Sequence, residues 1–273
     1  MDSTLLNIGP AAWLLLAGLL GTAALISALV LDRSPGAVLA AGLRAVVQLA
    51  VVALLISQLA RHPLAALGFV ALMFSVASLT AGRRVAAGRR GVLMALPIAA
   101  GVLPVLGLML ACGVLPFSAL ALIAVAGQLI GGAMTAATLA GRRILGELHQ
   151  RNGEVEAALA LGFPDAEARM LIIRPVAGEA LIPALDQTRT VGMVTLPGAF
   201  VGLILGGASP LDAALVQLLV LVALLAVEAL AIAVVLYGCT HAWWLPQNPS
   251  ARTSSPPKRK PLWSMRPLRT GRA

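Results

Sequence analysis

The chain has 273 residues, 59% of them hydrophobic and 11% charged, with a formal net charge of +9. That apolar share is more than a soluble domain conceals in one core, so lipid has to be part of the solvent. The basic residues flank apolar runs and have no aromatic-rich platform beside them, which argues against nucleic acid as a partner.

A helix needs about 20 apolar residues to cross the hydrocarbon layer. Seven runs qualify in chain order: 11–31, 37–59, 64–80, 91–112, 116–140, 191–207 and 211–238. They are long, continuous and rich in Leu, Ala and Val, unlike the roughly 10-residue alternating strands of a membrane barrel. The expected fold is therefore all-α, a polytopic bundle of about seven transmembrane helices. The leader MDSTLLNIGP carries no Lys or Arg, and the run after it is long enough to span, so span one is read as a retained helix and not a signal.

Of the twenty Lys and Arg, all but Arg44 and Arg61 follow spans one, three, five and seven. By the positive-inside rule the amino terminus is outside and the carboxyl terminus cytoplasmic, an arrangement that needs an odd number of spans. Residues 1–240 form the expected membrane domain, with a cytoplasmic insert at 141–190. Residues 241–273 form a tail of Pro, Ser and basic residues, expected to be disordered and suited to anchoring topology or resting on anionic headgroups.

Span two carries Arg44, with Gln48 one turn further on the same face. Two roles are open to this pair: contact with an anionic substrate group or a helix end, or simple snorkelling to the headgroups.

The insert after span five is the one long connection, and its first part lacks strong helix breakers, so span five should extend into the cytosol. Further on, Glu156-Ala157-Ala158 is followed by Gly162, Ile172 and Pro175. This pattern resembles the EAA loop of ABC-transporter permeases, which is implied to be a helix, a turn at the glycine and a second helix docking on an ATP-binding subunit. Ala157, Ala158 and Ala160 give a small surface for close approach, and Glu156 offers a charge to a basic groove. An ordinary amphipathic helix is the plainer reading. The two lysines, Lys258 and Lys260, lie in no G-x-x-x-x-G-K-[ST] loop, so ATP and its Mg would have to be held by a separate ATPase subunit.

In span six, Pro197-Gly198 should interrupt the helix and free backbone carbonyls that survive in a membrane only against protein or a wet cavity. Gly198, Gly202 and Gly206 form a bare strip that suits either a dimer interface or packing within one protomer. Ser209-Pro210 turns the chain into span seven, with Asp212 near its positive end. Glu228 lies mid-span and should face the bundle interior, protonated or paired, with Arg44 as one partner; a structural ion pair and a substrate contact both fit. His62, His149 and His241 share no helix face at ligand spacing, and Cys112 and Cys239 lie toward opposite faces, so neither a metal site nor a disulfide is read.

The stretch TLPGAFVGLILGGASPLDAALVQ from Thr195 to Gln217, LRAVVQL at Leu43 to Leu49, the EAA-like insert and the seven runs together resemble the FetB-type iron-export permeases and the related plant aluminium-tolerance permeases. Members commonly read L-P-G-A-M-T-G, where this chain has Phe200 and Val201, so a thioether and a hydroxyl are missing at those positions. The resemblance implies a non-enzymatic ABC permease in the inner (plasma) membrane. It would dimerise, bind no cofactor itself, pair with an ATPase, and export iron, another metal ion or a small solute. A stand-alone channel or secondary transporter is the alternative, but it would bury more polar residues and show internal repeats. A membrane enzyme would need a nucleophile, base or metal cluster grouped at one depth.

Overall fold

The computed structural model describes residues 9–59, 63–86 and 88–244, so Arg61, His62 and most of the basic tail fall outside it. The elements in order are α1 (Pro10–Leu29), α2 (Pro35–Leu59), α3 (Pro63–Val85), a 3₁₀ segment (Gly88–Met94), α4 (Ala95–Ala111), α5 (Ala119–Gln150), α6 (Asn152–Ala160), α7 (Asp165–Glu179), α8 (Ile182–Thr190), α9 (Gly198–Leu205) and α10 (Pro210–Thr240). Six helical stretches are long and apolar enough to cross a membrane: α1, α2, α3, the 3₁₀ segment with α4, α5, and α10. The chain is a helical, multi-pass membrane protein.

The expected sixth span is the exception. Residues 191–207 do not form one helix. The carbonyl of Thr190 accepts from the Val194 amide at 2.9 Å, the Gly192 amide bonds back to Thr195 at 2.9 Å, and Gly192 has φ +83°. A helix resumes only at Gly198, capped by Pro197, and ends eight residues later at Gly206-Gly207, where Gly207 has φ +93°. Eight residues rise about 12 Å, well short of the layer. Proline without an amide donor and glycines in left-handed geometry explain the break.

The centre of the bundle is α5, packed against α3, α4, α7 and α10. Its buried face interleaves large aliphatic residues such as Leu129 and Ile144 with small ones, Ala126, Ala133, Ala136, Ala137 and Ala140 all being closed off. In lipid, where apolar side chains gain nothing by leaving one hydrocarbon for another, close approach of backbones holds helices together. Gly101 of α4 shows the principle: a Cβ there would stand 2.6 Å from the Val227 carbonyl oxygen of α10. By contrast α1 buries only Ala24 and α2 buries nothing among its described side chains, so these two helices lean on each other at the edge.

At 32 residues α5 is about 48 Å long, roughly half as long again as the hydrocarbon layer is thick. It therefore projects beyond the membrane, as its continuation into the insert suggested.

Candidate functional site

At the projecting end of α5 the chain makes an elbow from α6 and α7. Helix α6 ends in a double hydrogen-bonded turn: the Phe163 amide bonds to the Ala158 carbonyl at 3.1 Å and the Gly162 amide to Leu159 at 3.0 Å. This C-cap needs a left-handed residue, and Gly162 supplies it at φ +90°. Around the turn, Glu156, Ala157, Ala160 and Leu161 are exposed, whereas Val155 is buried and Ala158 half-buried against the core. Ala158 thus helps seat the elbow as well as shape its surface.

The elbow is firmly mounted. Ala168, Ile172, Ile173 and Ala177 bury one face of α7, and Pro175 lies on its exposed side, inside the helix. Glu179 at the end of α7 is ion-paired with Arg143 of α5. Arg169 donates from Nη1 to the Thr240 carbonyl at the end of α10, 2.8 Å away, and from Nη2 to Asp165 at 2.6 Å. At the start of α6, Arg151 holds both Glu154 carboxylate oxygens, at 2.7 and 2.5 Å, and Asn152 donates to Glu156 at 2.6 Å. The hydrogen bond from Arg151 holds the Glu154 carboxyl below the usual carboxylate range.

The second feature is the break between α8 and α9. A cavity of about 310 Å³ lies between this segment and α10, lined by Val191, Pro197, Phe200, Gln217, Leu218 and Leu221 among others. Gln217 is 6% exposed, and its Oε1 has no hydrogen-bond partner. Buried polar atoms are nearly always paired, so an orphan beside a cavity marks a place where something else can bond.

The glycine strip faces away from the protomer. A Cβ on Gly198 or Gly202 would meet nothing within 4 Å, and one on Gly206 would meet only its own turn. Packing inside the protomer therefore makes no use of the strip.

Arg44 and Gln48 are exposed on α2, and no ion pair joins Arg44 to Glu228. The pairing open to these two residues is not made because α2 stands at the edge while Glu228 turns toward α5. There it fits against Gly132, where a Cβ would come within 2.8 Å of the carboxylate. Among the described residues no group of three or more His, Cys, Asp or Glu is placed to hold a metal ion.

Sequence reasoning passed over Arg169, Gln217 and the exposed Asp186 and Arg189 of α8. Gln217 had a legible signal, as an amide within an apolar helix. Arg169 had none, since its partner is a backbone carbonyl 71 residues away.

The family UPF0014, described as an uncharacterised protein family, matches residues 10–244. Relatives include the UPF0014 membrane protein STAR2 of Oryza sativa, 35% identical over 77% of this chain and 74% of its own length. The protein ALUMINUM SENSITIVE 3 of Arabidopsis thaliana is 38% identical over 55% of each chain. The probable iron export permease protein FetB of Escherichia coli is 32% identical over 53% of this chain and 55% of its own. No solved structure matches the chain. On the strength of a match that runs from the first described helix to the turn after α10, the chain belongs to the UPF0014 membrane protein family.

Proposed function

We propose that the chain is the permease subunit of an ABC transporter, working as a homodimer with a separate ATPase that holds ATP and Mg. The observation that carries this reading is the elbow. A short helix carrying Glu156, Ala157 and Ala160 on its open side, a glycine turn fixed by two backbone bonds, and a second helix locked to α5 and α10 together make a rigid handle. Such a handle can receive a push outside the membrane and pass it to the two longest helices of the bundle.

In this reading the elbow is cytoplasmic, the amino terminus outside and the membrane the plasma (inner) membrane, in keeping with the bias of the basic residues. The α8–α9 segment then makes the remaining crossing as a broken helix, which keeps the odd count. The outward-facing strip Gly198, Gly202 and Gly206 suits close approach to a second copy. The cargo is iron, another metal ion or a small solute, by similarity to the probable iron export permease FetB.

The test is co-expression with the ATPase encoded beside it. Wild-type chain should co-purify with that subunit and Glu156→Lys should not. Equal recovery of the ATPase with both chains, with transport intact, would remove the elbow from the mechanism.

A further inference from the structure

Helix α5 is open to its surroundings along one narrow stripe, and that stripe is not made for lipid. Between residues 121 and 141 its exposed residues are Ala124, Gln128 and Thr135. Spacings of four and seven put all three on one face, with the half-buried Gly131 and Gly132 between Gln128 and Thr135. Among the described residues of α5, no large apolar side chain after Leu120 is exposed. The outer sides of the other long helices are the reverse, and α10 exposes Leu211, Leu215, Leu218, Val222 and Leu230.

A second observation comes from α10. Gly132 stands about 20 Å along α5 from Ala119, near the middle of a layer about 30 Å thick. There α10 delivers Glu228, whose Oε1 would lie 2.8 Å from a Cβ at Gly132. Gln128 is one turn to one side of that glycine and Thr135 one turn to the other. The Glu228 carboxyl has no ion pair or hydrogen bond with any described residue. An unpaired acid at this depth faces the bundle interior or water, not acyl chains.

The groups on the stripe offer oxygen throughout. Glu228 brings a carboxylate and Gln128 an amide carbonyl. Thr135 donates its proton to the Gly131 carbonyl at 2.9 Å, which leaves its own oxygen free to accept. Such ligands suit a hard metal cation that keeps part of its water. Gln128 and Thr135 are about 10 Å apart along α5, too far to hold one ion together, so they serve in succession with Glu228 between them. One carboxylate flanked by two neutral oxygens binds well enough to admit an ion and loosely enough to release it.

We infer that the open stripe of α5 is one wall of a water-filled cation path through the membrane, with Gln128, Glu228 and Thr135 replacing part of the ion's hydration shell as it passes. The inference rests on the permease reading for its meaning as a cargo route, but its test needs no ATPase.

The experiment has two parts, both on the full chain in lipid nanodiscs. In a background of Cys112→Ser and Cys239→Ala, Gln128→Cys and Thr135→Cys should react with a membrane-impermeant, cationic thiol reagent added from the water. Leu230→Cys, on the opposite side of α10 from Glu228, should not. In the native chain, titration with manganous ion and with sodium ion should show binding, and the tighter of the two gives the charge of the preferred ion. Glu228→Gln keeps the side chain's shape and should weaken that binding roughly tenfold or more, since it removes the one charge opposite the ion. Gly132→Ala should weaken it too, by pushing a methyl against the carboxylate and the flexible end of Leu224 while leaving every charge in place.

No more labelling at Gln128→Cys and Thr135→Cys than at Leu230→Cys, no binding of either ion, or equal affinity in folded Glu228→Gln and Gly132→Ala chains would overturn the proposal. A chain that passes both parts but never recovers an ATPase keeps this path and loses the ABC reading. A chain that assembles with an ATPase but leaves the stripe unlabelled does the reverse.

Discussion

Arg169 and Thr240 are 71 residues apart in the chain, yet the guanidinium of one closes the helix ended by the other, at 2.8 Å. The last carbonyls of a helix have no partner within it and carry its negative end, so an arginine there both completes a bond and matches a charge. The elbow is by this means tied to the end of α10, whose far end borders the α8–α9 break.

Arg169→Ala should therefore separate two activities. On the proposed ABC reading the ATPase should still co-purify, since the exposed face around Glu156 is untouched. Transport per ATP hydrolysed should fall, by roughly tenfold if the whole charged hydrogen bond is lost. Measuring both rates in proteoliposomes checks this, and proportional loss of the two would count against a transmitting role.

Gly162→Ala forces a side chain into left-handed geometry at φ +90°, at a cost of about 1 to 2 kcal/mol. The expected result is an elbow that opens locally, seen as faster amide exchange at residues 158–163 and weaker ATPase recovery. The membrane helices should exchange as before.

Two glycines should behave oppositely. Gly101→Ala drives a methyl to 2.6 Å from the Val227 carbonyl and should lower protomer stability by about 1 to 3 kcal/mol. Gly202→Ile meets open space, so thermal unfolding in detergent should be unchanged. If the strip joins two copies, the same change should reduce the dimer recovered by cross-linking.

Acid should loosen the start of α6. The folded Glu154 carboxyl titrates below its usual range because Arg151 bonds its charged form, so the contribution is present at neutral pH and fades as pH falls below about 4. Amide exchange at residues 152–156 should rise over that interval in wild type and be flatter in Glu154→Gln.

The helical bundle was legible because six of the seven apolar runs are long enough to satisfy every backbone group internally, and composition alone reveals that. The elbow was legible for a different reason: Gly162 sits where a helix must end, and glycine is the residue that allows it. In the sixth run the interruption at Pro197-Gly198 was legible but its extent was not, because hydropathy counts the apolar residues of 191–207 without weighing Gly192 and Gly207, which keep the rest from coiling together. The surroundings of Glu228 were equally hidden. Pattern brings it and Arg44 to mind as opposite charges, while packing turns one toward Gly132 and leaves the other at the rim.

The reach of α5 has its own mechanical consequence. Because a single uninterrupted rod of 32 residues begins near the cap at Ser118 and ends where the elbow begins, a small tilt at one end sweeps the other through an arc set by the full span. On the proposed transport reading, the stroke available at the far surface is governed by the stiffness of this one lever, and shortening or kinking it would shrink that stroke without touching the open face around Glu156.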